Sequence, residues 1–358
     1  MTKHTTIIGI DLGDKHNQFC VLDNEAGEIE EEGRVKCDAK SMRRFFAARK
    51  PALIAMEAGT HSAWVSRLAA AEGHEVVVAN PRKLRAIYEN ERKSDKLDAR
   101  MLARLVRADP KLLHAVQPRS AHTQADLALL KSRQAAVEAR TKLINHARGI
   151  VKSFGGRLPA CSTTSFHAKT LEAIPEELRA ALEPVYEAIA KLTETIKTYD
   201  HRIKKMCESE GYETTELLQS VPGVGPLTAL AFVSVLEDPA LFATGRSVSA
   251  YLGLTPRKAQ SGQRDPALRI TKAGSPFLRK LLVGCAQYIL GPFGPPGALR
   301  DWGHKLIERG GRAAKKKAVI AVARKLAAIL HRLWSTGELW RPFPDAPDDE
   351  ACMAEDMA

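Results

Sequence analysis

TTIIGIDLGD, residues 5–14, decides how the chain is read. Its isoleucines form a short apolar run that stops at Asp11 and a glycine-bearing turn, the pattern of a buried strand ending in an acid. Working outward, NQFCVLD (17–23) alternates and predicts the next strand. GEIEEEGRVKCD (27–38) predicts a third, edge strand, with turn signals at Gly27 and Gly33. SMRRFFAARK (41–50) reads as a helix, and PALIAMEA (51–58) as a buried strand ending at Glu57. HSAWVSRLAAAEG (61–73) reads as a helix and HEVVVAN (74–80) as a strand. Pro81 starts a helical stretch. Asp95 opens a helix to about Val106, ended by Asp109-Pro110. The order β-β-β-α-β-α-β-α implies an α/β unit with a mixed sheet and helices on its faces.

That frame places four acids. Asp11 and Glu57 end two strands, and open α/β sheets bind ligands at the carboxyl edge. Asp95 and Asp98 stand at i and i+3 in ENERKSDKLDARMLARLV (89–106), so they share a helix face. Four converging carboxylates stay ionised only beside a strong cation. Two Mg²⁺ ions roughly 3.5–4 Å apart suit such a set and the phosphoryl transfer it serves. Each acid also has a plain reading: Asp95 as a helix cap, Asp98 as a surface acid, Asp11 as a turn cap, Glu57 as an arginine partner. Asp14, His16 and His61 are flanking candidates. IGIDLG also begins the phosphate hairpin of sugar kinases and actin-like ATPases, but the second glycine-rich loop those proteins use is not evident here.

The chain has 358 residues, 44% hydrophobic and 27% charged, room for two or three domains with a substantial core. A formal net charge of +12 points to a polyanion, most simply nucleic acid. No 18-residue apolar run suggests a membrane span. The amino terminus lacks a signal-peptide pattern, and the six cysteines are scattered. We therefore expect a cytoplasmic protein.

From about Thr123 to Glu208, two amphipathic helical runs predict a coiled-coil or bundle arm. Arg140, Lys142 and Arg148 on the first are candidate backbone contacts. Gly223 and Gly225, in PGVGP (222–226), allow a tight turn whose amides approach a phosphate, as in a helix-hairpin-helix; a packing turn is the other reading. The basic loop TPRKAQSGQRDPALRITKAG (255–274) holds Ser261 among Lys258, Arg264, Arg269 and Lys272. A hydroxyl among cations can attack a phosphodiester; a plain loop serine is the alternative. Ser275 reads as a helix cap before Pro276. Lys315, Lys316 and Lys317 open a further basic helix, and residues 341–358 form an acidic tail.

With IGIDLGDKHNQFCVLD (8–23), VPGVGPLTALAF (221–232), YLGLTPR (251–257), AQSGQR (259–264) and RITKAGSPFLRKLLV (269–283) in view, the chain resembles the transposases of the insertion-sequence-110 family, relatives of the pilin-gene invertases. The resemblance implies four regions. Residues 1–115 would be a RuvC-like (ribonuclease-H-like) domain carrying a DEDD tetrad, matched by Asp11, Glu57, Asp95 and Asp98. Residues 116–210 would be the helical arm, 211–340 a mainly α-helical transposase domain with a serine nucleophile, matched by Ser261, and 341–358 the tail. Many relatives continue after the serine with a second Gly or Lys, where this chain has Gln263 and Arg264. The resemblance further implies Mg²⁺ at the carboxylates, strand exchange through a junction intermediate, and a dimer assembling to a tetramer. The tetrad of one subunit would meet the serine of another. Element and target DNA would be the substrates, chosen by a structured guide (bridge) RNA. Two other readings remain: a RuvC-like junction nuclease using metal-activated water, and a non-catalytic nucleic-acid-binding protein.

Overall fold

The computed structural model describes residues 4–84, 94–260, 266 and 268–344. The chain divides into two compact units, Met1–His122 and Thr123–Ala358.

The first unit is a five-stranded mixed sheet. Its strands are β1 (Thr6–Asp11), β2 (His16–Asp23), β3 (Ile29–Lys36), β4 (Leu53–Glu57) and β5 (Glu75–Ala79), in spatial order β3-β2-β1-β4-β5. β1–β2 and β2–β3 pair antiparallel, as short hairpin connections require; β1–β4 and β4–β5 pair parallel across helical crossovers. The sequence expectation of an edge strand at β3 holds. Helices α1 (Ala39–Ala47) and α2 (Ser62–Ala71) cover one face, packing Met42, Phe46, Val65 and Ala69 on Ile8, Ile10, Ile54 and Met56. Asp38 caps α1 by accepting from Ser41 N at 2.8 Å.

Helix α3 (Asp95–Ala108) covers the other face with Ala99, Leu102, Ala103 and Val106, packed on Ile7, Leu53 and Ala55. Its small residues allow very close approach. A Cβ on Gly9 of β1 would stand 2.0 Å from the Ala99 carbonyl oxygen and 2.6 Å from Ala103 N. Glu32 on β3 fastens the same helix. It takes a forked ion pair from Arg100, one branch at 2.7 Å, and a bond from Lys96 Nζ at 2.9 Å. Those two cations hold its carboxyl down at about 2 against the cost of burial. The helical stretch expected from Pro81 begins with a turn at residues 81–83, and the rest of it, residues 85–93, lies outside the described residues.

The second unit is helical. α4 (Ala121–Ser153) and α5 (Glu176–Cys207) run antiparallel, because Arg133 meets Asp200 at 2.5 Å and Arg140 meets Thr193 at 3.3 Å. Ile144, Ala147 and Val151 of α4 pack with Leu182, Tyr186 and Ile189 of α5. At the base of the pair the Tyr212 hydroxyl donates to buried Asp126 at 3.1 Å. Around that base stand α6 (Glu213–Gln219), α7 (Pro226–Leu236), α8 (Gly245–Tyr251), α9 (Pro276–Ile289), α10 (Ala298–Glu308) and α11 (Ala314–Thr336). Their shared core includes Leu130, Ile203, Phe232, Leu282, Val322 and Leu326. Burying side chains of this size stabilises by roughly 1.5–3 kcal/mol each. Among the described residues no helix is long and apolar enough to cross a membrane.

Candidate active site and nucleic-acid contacts

Strand alternation settles the direction of the two strand-end acids. Ile7, Gly9 and Asp11 share one face of β1; Leu53, Ala55 and Glu57 share one face of β4. Ile7, Leu53 and Ala55 pack under α3, so Asp11 and Glu57 project to the α3 side. The pairing Ile10↔Met56 puts the two acids on adjoining strand ends, and neighbouring strands lie about 4.8 Å apart. Both acids are half-buried.

The direction of α3 follows from two contacts. Ala99 and Ala103 sit over Gly9. Arg107, further along, donates to the carbonyl oxygens of Asn24 and Glu25, just past the end of β2 that pairs with the start of β1. The helix therefore runs against β1, and its first turn points to the carboxyl edge. That turn carries Asp95, exposed, and Asp98, half-buried. Ser94 supplies the cap, accepting from Leu97 N at 3.3 Å, so Asp95 does not fill that role. Carboxylates in the first turn also meet the positive end of the helix dipole.

Among the described residues, no three His, Cys, Asp or Glu side chains stand close enough to enclose a metal ion. The donor chemistry nonetheless fits a hard cation, since all four candidates offer carboxylate oxygen. Magnesium in phosphoryl-transfer sites is held by one or two carboxylates, with waters and substrate phosphate completing the shell. At the rim, His61 Nε2 lies 3.4 Å from Asp14 Oδ1, and His61 Nδ1 accepts from Trp64 Nε1 at 3.2 Å. His16 is exposed at the start of β2.

Ser261 and Arg264 lie outside the described residues. The two arms that lead to them are described. Pro256 bridges Ile270; Arg257 N donates to Arg269 O at 3.0 Å, and Thr271 N to Thr255 O at 2.9 Å. Lys258, Arg269 and Lys272 are exposed on these arms. Gly253 and Gly274 both have φ of +68°, and a Cβ on either would stand within 2.2 Å of backbone. Arg279, a residue not singled out in the sequence, ties the feet together. Its Nη1 donates to Leu252 O at 2.9 Å and Ala273 O at 2.7 Å. The sequence signal was the pair of glycines in YLG and KAG. Ser275 caps α9 as expected, accepting from Leu278 N at 3.3 Å.

Of the other candidate contacts, Arg140 is inside the arm, 8% exposed. It reaches Thr193 Oγ1 and Thr163 Oγ1 at 3.3 Å, its Nε has no partner, and burial, then the charge of Arg133, pushes it below its usual range. The expectation that it meets a phosphate is corrected by this burial: the helix face that carries it is the packed one. Arg148 donates to Leu158 O and Pro159 O and lies over the Phe166 ring, bracing the segment between the arm helices. Lys142 is exposed, as are Lys315, Lys316 and Lys317 in the first turn of α11. Gly223 has φ of +82° and faces Tyr288 of α9, whose Cδ1 would meet an added Cβ at 2.7 Å. Gly225 opens α7 with free space around it.

A mixed sheet with acids at its carboxyl edge, followed by a helical unit, is consistent with the RuvC-like class. A sequence family described as Transposase, of the DEDD IS110 type, matches residues 8–155; one described as Transposase IS116/IS110/IS902 family matches residues 215–296. A putative transposase of Sinorhizobium fredii (y4pF/y4sB) is 30% identical, over 86% of this chain and 79% of its own length. The transposase for insertion sequence element IS1111A of Coxiella burnetii is 29% identical, over 95% and 92%. The pilin gene-inverting protein of Moraxella bovis is 26% identical, over 77% and 78%. The chain belongs to the IS110 family of transposases.

Proposed function

We propose that the chain cleaves and rejoins the DNA strands of its insertion sequence and target, with Ser261 as nucleophile and the acids Asp11, Glu57, Asp95 and Asp98 as the metal-binding set. The observation that carries this reading is the side-chain direction of Asp11 and Glu57. They share the sheet face over which the acidic first turn of α3 is directed. Mg²⁺ bound there would neutralise phosphate charge as it develops. Ser261 Oγ would give up its proton to solvent and form a bond to phosphorus as the P–O ester bond breaks, and the leaving sugar oxygen would take up a proton from solvent, so that the step is balanced in protons. Lys258, Arg264, Arg269 and Lys272 would stabilise the charge on the non-bridging oxygens. The resemblance adds a structured guide RNA and a dimer assembling to a tetramer, in which one subunit's acids serve another's serine. Base pairing by such an RNA would supply sequence choice in a chain whose sequence shows no zinc finger, RNA-recognition aromatic platform or clear recognition helix.

A denaturing-gel assay tests the chemistry. Full-length protein, Mg²⁺, flanking RNA and labelled element-junction DNA are combined beside the Ser261→Ala and Asp11→Asn variants. The wild type is expected to shift label onto protein, and Ser261→Ala to lose that adduct while still binding nucleic acid. Asp11→Asn is expected to lose cleavage with binding changed by less than about twofold, because the basic surface is untouched. Cleavage without an adduct, unaffected by Ser261→Ala, would establish the junction-nuclease reading instead.

A further inference from the structure

Between α9 and α10 the chain reads GPFGPPG, residues 291–297, and Phe293 at its tip is 83% exposed. A lone exposed apolar side chain is ordinary on a protein surface. This one is held out by a braced turn. Gly294 N closes the turn onto Gly291 O at 3.3 Å, and Pro292, Pro295 and Pro296 stiffen it. Arg300 of α10 grips both sides, its Nη1 lying 2.9, 2.7 and 2.6 Å from the carbonyl oxygens of Ile289, Gly291 and Gly294. A Cβ on Gly294 would stand 2.2 Å from Ile289 O, so the close path needs glycine. The guanidinium and three prolines therefore order a segment whose outermost side chain packs on almost nothing of its own.

The neighbours of this tip say what it fits. Tyr288, 44% exposed, lies between the turn and the glycine segment: Gly291 N donates to Tyr288 O, and the Tyr288 ring abuts Gly223. Pro222 and Pro295 line one small cavity, so the 222–226 turn and the 291–297 turn adjoin. The Tyr288 ring thus touches the 222–226 turn, Phe293 stands on the turn adjoining it, and a Cβ added at Gly225 would meet nothing within 4 Å. We propose that Phe293, with Tyr288 beside it, stacks on an unpaired base while the 222–226 turn takes the adjacent phosphate. Every base offers a flat face to an aromatic ring, so such a contact is indifferent to sequence and selects unpaired over paired nucleotides. This rests on the reading of the chain as a nucleic-acid recombinase, whose junctions present unstacked bases. A second copy of the chain is the competing occupant.

The test compares two short DNA duplexes of one sequence, one carrying a single unpaired 2-aminopurine, with full-length wild type, Phe293→Ala and Phe293→Trp. The wild type is expected to prefer the bulged duplex and to quench the 2-aminopurine by stacking. Phe293→Ala is expected to bind the bulged duplex about 5- to 150-fold more weakly with the quench lost, while perfect-duplex affinity and melting temperature stay put. Phe293→Trp should retain both. Unchanged bulge binding in Phe293→Ala, or equal losses on both duplexes, overturns the stacking assignment. Lost self-association in sedimentation with binding intact gives the tip to a second copy. A wild type that binds neither duplex removes the nucleic-acid reading itself.

Discussion

Arg140 shows how far a single residue can depart from its sequence context. It lies in a basic run, yet it is buried and its guanidinium meets only two threonine hydroxyls and no carboxylate at hydrogen-bond range. A buried charge so poorly compensated costs several kcal/mol, and an apolar side chain of similar length removes that cost. Arg140→Met is expected to leave the melting temperature unchanged or raise it by a few degrees, with nucleic-acid affinity intact. A fall in melting temperature, or a loss of binding, would show that the charge is used. Asp11 and Glu57 lie at the other extreme. Their place at strand ends was legible from the apolar runs before them, because the residues that define a strand end are adjacent in sequence. Ser94, in contrast, takes the cap that Asp95 was one residue away from supplying.

At the scale of the element, α3 decides whether a site exists, since it carries two of the four acids. Gly9 sets its distance from the sheet, and Glu32 ties it to the edge strand through Arg100 and Lys96. Glu32 titrates at about 2 in the fold, against about 4.3 for a free glutamate. A carboxyl depressed on folding contributes stability that is full above its unfolded value and is lost as pH falls toward the folded one. The wild type should therefore lose stability relative to Glu32→Gln between about pH 4 and pH 2. The two should differ by a constant amount above about pH 5. Thermal melts of both across that range check this; parallel curves throughout would mean the pair contributes nothing. None of this was legible in EEEGR, because Glu32 and Arg100 are 68 residues apart.

The whole molecule carries a net charge of +12, part of it in exposed Lys315, Lys316 and Lys317 where α11 begins. Three lysines at the positive end of a helix are unfavourable for the isolated chain and favourable beside phosphate. Replacing all three by alanine is expected to reduce the slope of log affinity against log salt by about 2–3, with melting temperature unchanged or raised. An unchanged slope would mean that this cluster meets no phosphate.

By itself the sequence determined the order of strands, the acids at their ends, the long helical arm, the cap at Ser275 and the family. These follow from periodicity, from capping and turn chemistry within a few residues, and from motifs read in order. Only the tertiary structure decided which way the acids face and that α3 runs against β1, with its acidic first turn at the carboxyl edge. It alone placed Arg140 inside the arm, Gly223 against Tyr288 and Arg279 between the feet of the serine loop. Each of those outcomes depends on which surface the rest of the chain buries. A side chain's solvent, charge partners and direction are set by contacts made after the elements have packed, and no local pattern encodes them.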